Sequence, residues 1–147
     1  MRSELMYGPG PVEEHHHLEL SWYAIHPIEL LFTLMGPGCQ EVTRTSGEGS
    51  AASDVLVGHW KDGRVGTVRT LRPYGDYGVT VFRPKAVERS QPKVPFSYAP
   101  LAKQIVQFFE TGKPPVPNED TLEIYDFLDA AQRSKESGGK PVELRRN

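Results

Sequence analysis

The sequence predicts an α+β domain, a mostly antiparallel, open-faced sheet with helices packed on one side. Three observations lead there. An apolar segment of helical period stands near the start. The middle of the chain alternates in the two-residue rhythm of half-buried strands around an Asp-Gly turn, and the last third returns to helical period. A chain of 147 residues is long enough to fold as one domain around its own core. The whole chain, 1–147, is therefore read as a single domain, with residues 1–20 as an N-terminal arm.

The arm holds Gly8-Pro-Gly-Pro11, a turn by composition, and then Glu13-Glu-His-His-His17. The first helix follows. Ile28, Leu31, Phe32 and Met35 recur at helical spacing, and Gly36-Pro37 ends the run. Its start has two readings. Either Ser21 caps it and Pro27 bends it, or it begins near His26 and Pro27 is a comfortable first-turn proline.

Strands are expected over 40–44, 55–60, 64–71 and 77–82, with the small, flexible run 45–53 as a loop. Lys61-Asp-Gly63 joins the second and third of these strands as a hairpin. Within 65–71 the alternate positions include Thr67 and Arg69. One sheet face is thus polar, as in a sheet covered on one side only.

A helix over 100–110 carries Leu101, Ile105 and Phe108 or Phe109 on one stripe, and Thr111-Gly112 closes it. Lys113-Pro-Pro-Val-Pro117 is a stiff connector. Asn118 is then expected to cap a last helix, with Glu119 and Asp120 complementing its positive end. Leu122, Ile124, Tyr125, Leu128 and Ala131 are its expected buried stripe. Gly138-Gly139 stops it, and 141–144 adds an edge strand.

A formal net charge of -2 supplies no field for capturing nucleic acid or an anionic membrane surface. No apolar run reaches the length of a membrane span, and the first residues lack the basic-then-apolar order of a secretory signal. A cytoplasmic protein is the expectation. The single cysteine, Cys39, rules out an internal disulfide and a thiolate zinc cluster; in Gly36-Pro-Gly-Cys39 it reads as a small packed side chain. The arginines of Leu144-Arg-Arg-Asn147 read as solvated. Gly-x-Ser-x-Gly and His-Glu-x-x-His patterns are missing from the sequence.

The dense polar constellation is Glu13-Glu-His-His-His17 together with His26 and Glu29. On an extended strand His15 and His17 share a side and His16 opposes them. His15, His17 and Glu29 are thus the candidate ligands of a divalent metal, Ca or Zn. The competing reading has these histidines singly bonded around a pocket. His26 is the candidate catalytic residue, because imidazole changes charge within the physiological range and serves as a general base; alternatively it bonds a helix end. Trp22, Tyr23 and Glu29 are candidate substrate contacts, the two aromatics equally at home in a core. His59 is expected to be exposed. Glu48 and Asp54 offer oxygens to calcium, at a spacing unlike a dedicated calcium loop.

Several of these segments resemble the C-terminal domain of the Gfo/Idh/MocA oxidoreductases, and the resemblance covers nearly the whole chain after about residue 7. They are Trp22-Tyr-Ala-Ile-His-Pro-Ile-Glu29, Leu34-Met-Gly-Pro-Gly38, Val57-Gly-His-Trp-Lys-Asp-Gly-Arg64, Tyr77-Gly-Val-Thr-Val-Phe82, and Phe109-Glu-Thr-Gly-Lys-Pro-Pro115 followed by Thr121-Leu-Glu-Ile124. The resemblance implies a sugar pocket with His26 at its mouth, positioning or deprotonating a hydroxyl. It also marks a departure. The family's usual aspartate and glycine ahead of that histidine are Trp22 and Ala24 here. The family's nucleotide loop and catalytic lysine belong to an N-terminal domain, so NAD(P) is not expected on this chain.

Two classes of function follow. One is a substrate domain acting as a small hydrolase on a sugar or acyl lactone or ester, with His26 as base and an optional metal. The other is a non-catalytic carbohydrate-binding or oligomerisation module, or one half of a dehydrogenase. A small-molecule substrate and a homodimer through the open sheet face are the expected partners.

Overall fold

The computed structural model of the protein describes residues 3–12, 15, 18–48, 53–91 and 97–145. The strands are β1 (Ser3–Pro9), β2 (Cys39–Ser46), β3 (Asp54–Trp60), β4 (Val65–Leu71), β5 (Gly78–Arg83), β6 (Ala86–Arg89) and β7 (Val142–Glu143). The helices are α1 (Ile25–Met35), α2 (Ala99–Thr111) and α3 (Asn118–Glu136), with a 3-10 turn over Glu19–Ser21. The strands form one sheet in the order β6-β5-β1-β4-β3-β2-β7. All its pairings are antiparallel except β1 with β4.

Alternation along the strands decides the two faces. Met6, Val68, Leu56 and Arg44 stand in one row across β1, β4, β3 and β2 and all four are buried beneath α1 and α3. The opposite face carries the row Thr80, Leu5, Thr67, Val57 and Thr43, every member of which is half-buried. The expected architecture is thus observed.

The α1 stripe behaves as its spacing dictates, with Ile28, Leu31, Phe32 and Met35 all buried. The Phe32 ring meets Trp60 and Phe127 at centroid distances of 5.5 and 5.6 Å, which joins α1, β3 and α3 in one core. The last carbonyls of α1 are satisfied from the β3–β4 hairpin: Trp60 Nε1 donates to Gly36 O at 2.8 Å and Arg64 donates to Met35 O at 2.7 Å. Pro27 lies in the first turn of α1, so the second reading of this helix start holds. Ser21 does not cap α1; its Oγ donates to Leu18 O within the preceding 3-10 turn.

Several expectations need correction. The arm is not an arm, because residues 3–9 form an internal strand between β5 and β4, and Gly8 and Pro9 belong to that strand rather than to a turn. Asn118 is the first helical residue of α3, and the cap position falls on Pro117. The buried stripe of α3 is Ile124, Phe127, Leu128, Ala130, Ala131 and Ser134, whereas Leu122 and Tyr125 are exposed. Glu123 accepts from Gly38 N and Cys39 N at the start of β2 and Ile124 is buried beside it, so Leu122 and Tyr125 turn to the outer side of the helix. Helix α2 forms as predicted, but none of its residues is buried. Strand β6, wholly exposed, was not foreseen.

Asp54 is not a calcium ligand. Its carboxylate is fully buried and engages two guanidiniums: Arg44 Nε donates to Oδ1 at 2.9 Å, and Arg72 closes on Oδ2. Ser46 Oγ also donates to Oδ1. Arg44 in turn reaches Glu19 at 3.0 Å, and Lys135 reaches the same carboxylate at 2.7 Å. The network joins β2, β3, the 3-10 turn and α3. Burial alone would raise the Asp54 pKa, but the Ser46 bond and the two guanidiniums outweigh it and hold the carboxyl below the ordinary 3.8. Burial also acts against Glu19, and its bonds to Lys135 and Arg44 win there too, holding it below 4.5.

A carboxyl depressed in the folded state stabilises the fold above its unfolded pKa, and that stability is lost as pH falls through the folded value. Stability of the wild type, followed by circular dichroism, is therefore expected to fall as pH drops below about 4. Asp54→Asn leaves two guanidiniums without their buried counter-charge. It is expected to cost about 3–5 kcal/mol in urea denaturation at neutral pH and to flatten the acid limb.

Candidate functional site

The entrance of α1 gathers the polar chemistry that the sequence pointed to. Because α1 starts at Ile25, His26 and Glu29 lie one turn apart on its outer side. His26 Nδ1 stands 3.3 Å from Glu29 Oε2, with both side chains about half exposed, at 51% and 52%. A carboxylate only accepts, so in the neutral ring Nδ1 carries the hydrogen and the lone pair is left on Nε2. Tyr23, in the turn before α1, sets its ring edge-on to His26 with centroids 5.2 Å apart.

Tyr77, which the sequence singled out only as the start of a strand, completes the group. It lies just before β5, with Tyr23 as a neighbour. Its phenol is pushed up to about 12, first by burial, then by the neighbouring Tyr23, Tyr74 and Glu29. The ring rests on the end of β1 and explains Gly8, while Thr70 explains Gly10. A Cβ on Gly8 would stand 2.7 Å from Tyr77 Cδ1, and one on Gly10 would stand 2.5 Å from Thr70 Cβ. The signal in the sequence was Gly8-x-Gly10, but nothing local says which ring lies over it.

The other candidates separate from this group or fall outside it. Trp22 is 53% exposed and so is not a core aromatic. His15 is exposed, and His17 lies outside the described residues. Among the described residues no three His, Cys, Asp or Glu side chains come close enough to hold a metal ion. The expected set of His15, His17 and Glu29 falls in part outside them. His59 is exposed as expected. Cys39 is buried and its thiol is pushed up to about 12, mainly by that burial, as fits a packed side chain rather than a nucleophile.

The glycine pair is not built as a phosphate-binding loop. In a nucleotide loop the glycines keep space open for pyrophosphate ahead of a helix N-terminus. Here the space over Gly8 and Gly10 is filled by Tyr77, Thr70 and Ala24, and the chain continues into a turn. Among the described residues no helix is long and apolar enough to cross a membrane.

No protein-family model and no curated protein matches the sequence. Solved structures do match. GenD2 from gentamicin A biosynthesis, in complex with NAD, shares the fold with a TM-score of 0.78 at 18% identity, over 98% of this chain and 55% of that one. Myo-inositol dehydrogenase from Lactobacillus casei, in complex with NAD(H) and myo-inositol, gives a TM-score of 0.70 at 15% identity over 99% of this chain and 54% of its own. The WlbA dehydrogenase from Bordetella pertussis, in complex with NADH and UDP-GlcNAcA, gives 0.65 at 15% identity over 100% and 55%. These likenesses are likenesses of fold, and the chain spans about half the length of each solved chain.

The close seat of Tyr77 on β1 is directly testable. Gly8→Ala inserts a methyl group where no space exists and is expected to cost about 1–3 kcal/mol in urea denaturation. It should also shift the His26 ring resonances in NMR spectra. An unmoved His26 would show that the ring packing does not reach the site.

Proposed function

We propose that this chain, which has the fold of the C-terminal domain of the Gfo/Idh/MocA dehydrogenases, is a substrate-positioning domain for a small polyhydroxylated molecule. One observation carries the reading. An imidazole backed by a carboxylate sits half exposed beside two phenols at the mouth of α1. Glu29 holds the proton on Nδ1, so Nε2 is the atom that accepts a hydroxyl proton from the substrate. The phenols of Tyr23 and Tyr77 supply further donors for neighbouring hydroxyls, and the ring faces suit the C–H side of a sugar or cyclitol. Two of the fold neighbours hold such molecules, myo-inositol in one and UDP-GlcNAcA in another. In this reading the redox half of the reaction belongs to a separate dinucleotide-binding unit. A cytoplasmic setting goes with this reading.

No observation favours the hydrolytic alternative, in which His26 activates water against a lactone or ester. It would gain most from a metal at the imidazole, and the described residues assemble no ligand set there. A carbohydrate-binding or oligomerisation module without chemistry uses the same geometry and is distinguished by experiment.

Saturation-transfer NMR against cyclitols, hexoses and uronic acids should show binding to the wild type. His26→Ala should weaken it about tenfold, the equivalent of about 1.4 kcal/mol. No saturation transfer from any polyol would sink the reading. Nicotinamide-free opening of lactones, lost in His26→Ala, would establish hydrolysis in its place.

We also propose a homodimer through the open sheet face. Leu5, Val57 and Val65 lie among threonines on that face, all half-buried, with no helix packed over them among the described residues. Face-to-face packing of two such sheets would cover them. Light scattering should report twice the 16.5 kDa chain mass, and Leu5→Lys should give the monomer. A wild-type monomer mass independent of concentration would refute the dimer.

A further inference from the structure

Residues 73–77, which carry Tyr74 and Tyr77, have no strand ladder of their own. Their place beside α1 has to be fixed from elsewhere, and the residue ahead of them has the means. Arg72 is the first residue past β4, and its side chain is only 12% exposed. Its guanidinium makes two separate attachments. One NH2 group closes on the buried Asp54 carboxylate of β3, and Nε donates to Gly10 O at 2.8 Å, just past the end of β1. Gly10 N donates in turn to Leu71 O at 3.0 Å, so the end of β1 and the end of β4 are tied in both directions. Gly10 packs against Ala24, next to Tyr23, and Gly8 lies beneath Tyr77. Arg72 thus ties the chain that leads into the loop to Gly10, which meets the turn before α1.

We propose that Arg72 is a positioning residue of the His26 site, fixing the loop that carries Tyr74 and Tyr77 against Tyr23 and the start of α1. This rests on the site reading given under Proposed function. The planar fork explains why arginine stands here: it grips a carboxylate and a carbonyl at once in a fixed geometry. A lysine has the charge but only one flexible point of attachment. Asp54 itself is held by Arg44 and Ser46, so the anchor stays in place when Arg72 is changed.

The test is amide hydrogen exchange on the full chain, which needs no ligand. Arg72→Gln should raise exchange of the Tyr74–Tyr77 amides about tenfold, with a smaller rise at Gly10 and none in the β2–β3 hairpin. Arg72→Lys should give the same pattern at smaller amplitude, and it carries the test if the glutamine variant does not fold. Leu144→Ala, a core change remote from the loop, is the control. An increase spread evenly through β3 and β4, as in that control, would overturn the proposal, and so would an unchanged loop. A second arm measures myo-inositol binding by calorimetry. Where the wild type binds, Arg72→Lys should weaken binding while leaving thermal unfolding close to wild type. Failure of the wild type to bind any polyol would count against the site reading, while the exchange pattern still decides the role of Arg72.

Discussion

A carboxylate at 0% exposure has no water to solvate its charge, and leaving it unpaired would consume a large share of the stability of a small domain. Asp54 therefore has to be met by cations wherever the chain folds, and the two that meet it come from different strands, β2 and the end of β4. That requirement does much of the architectural work. Arg44 cannot reach Asp54 unless β2 and β3 pair in the observed register, with Arg44 opposite Leu56 on the helix-covered face. Once there it needs Glu19, which brings the 3-10 turn and Lys135 of α3 to the same place. Arg72 then carries the constraint from the sheet to the loop beside α1. A buried network of this kind contributes little net stability over an apolar one. What it supplies here is a single arrangement of strands, turn and loop.

The site sits at the border of that network rather than inside it. His26 and Glu29 are half exposed, while the groups that shape their surroundings are buried. This division suits a surface that has to admit a ligand. Asp54 and Arg44 are kept from solvent, and the imidazole stays accessible. The same economy shows at Gly8 and Gly10, where missing side chains let one ring and one threonine approach the backbone. A glycine pair that in another fold would leave room for phosphate is used here to seat aromatic and aliphatic groups.

Much of the chain was legible in its residues. The hairpin at Lys61-Asp-Gly63, the stripe of α1, the glycine stop of α3 and the edge strand after it are all set by near neighbours, and all appear. The errors share a cause. Strand β1 was read as an arm because its Gly-Pro-rich end speaks for a turn, while its partners β4 and β5 lie more than fifty residues away in sequence. Leu122 and Tyr125 continue the three-residue spacing back from Leu128, but at 3.6 residues per turn that spacing drifts away from Ile124 to the exposed side. Asp54 offered oxygens to a cation, and the cations it found were guanidiniums.

By itself the sequence determined the fold class, the order of nearly every element, and the imidazole and carboxylate placed one turn apart at the start of α1. Period, turn chemistry and i,i+3 spacing are local properties, and they survive into the structure. Only the tertiary structure decided which long-range partners those residues would have: Tyr77 over Gly8, Arg72 between Asp54 and Gly10, and β1 between β4 and β5. Such contacts depend on which strand lies beside which, and the parallel crossover from β1 to β4 leaves no mark in the residues on either side of it.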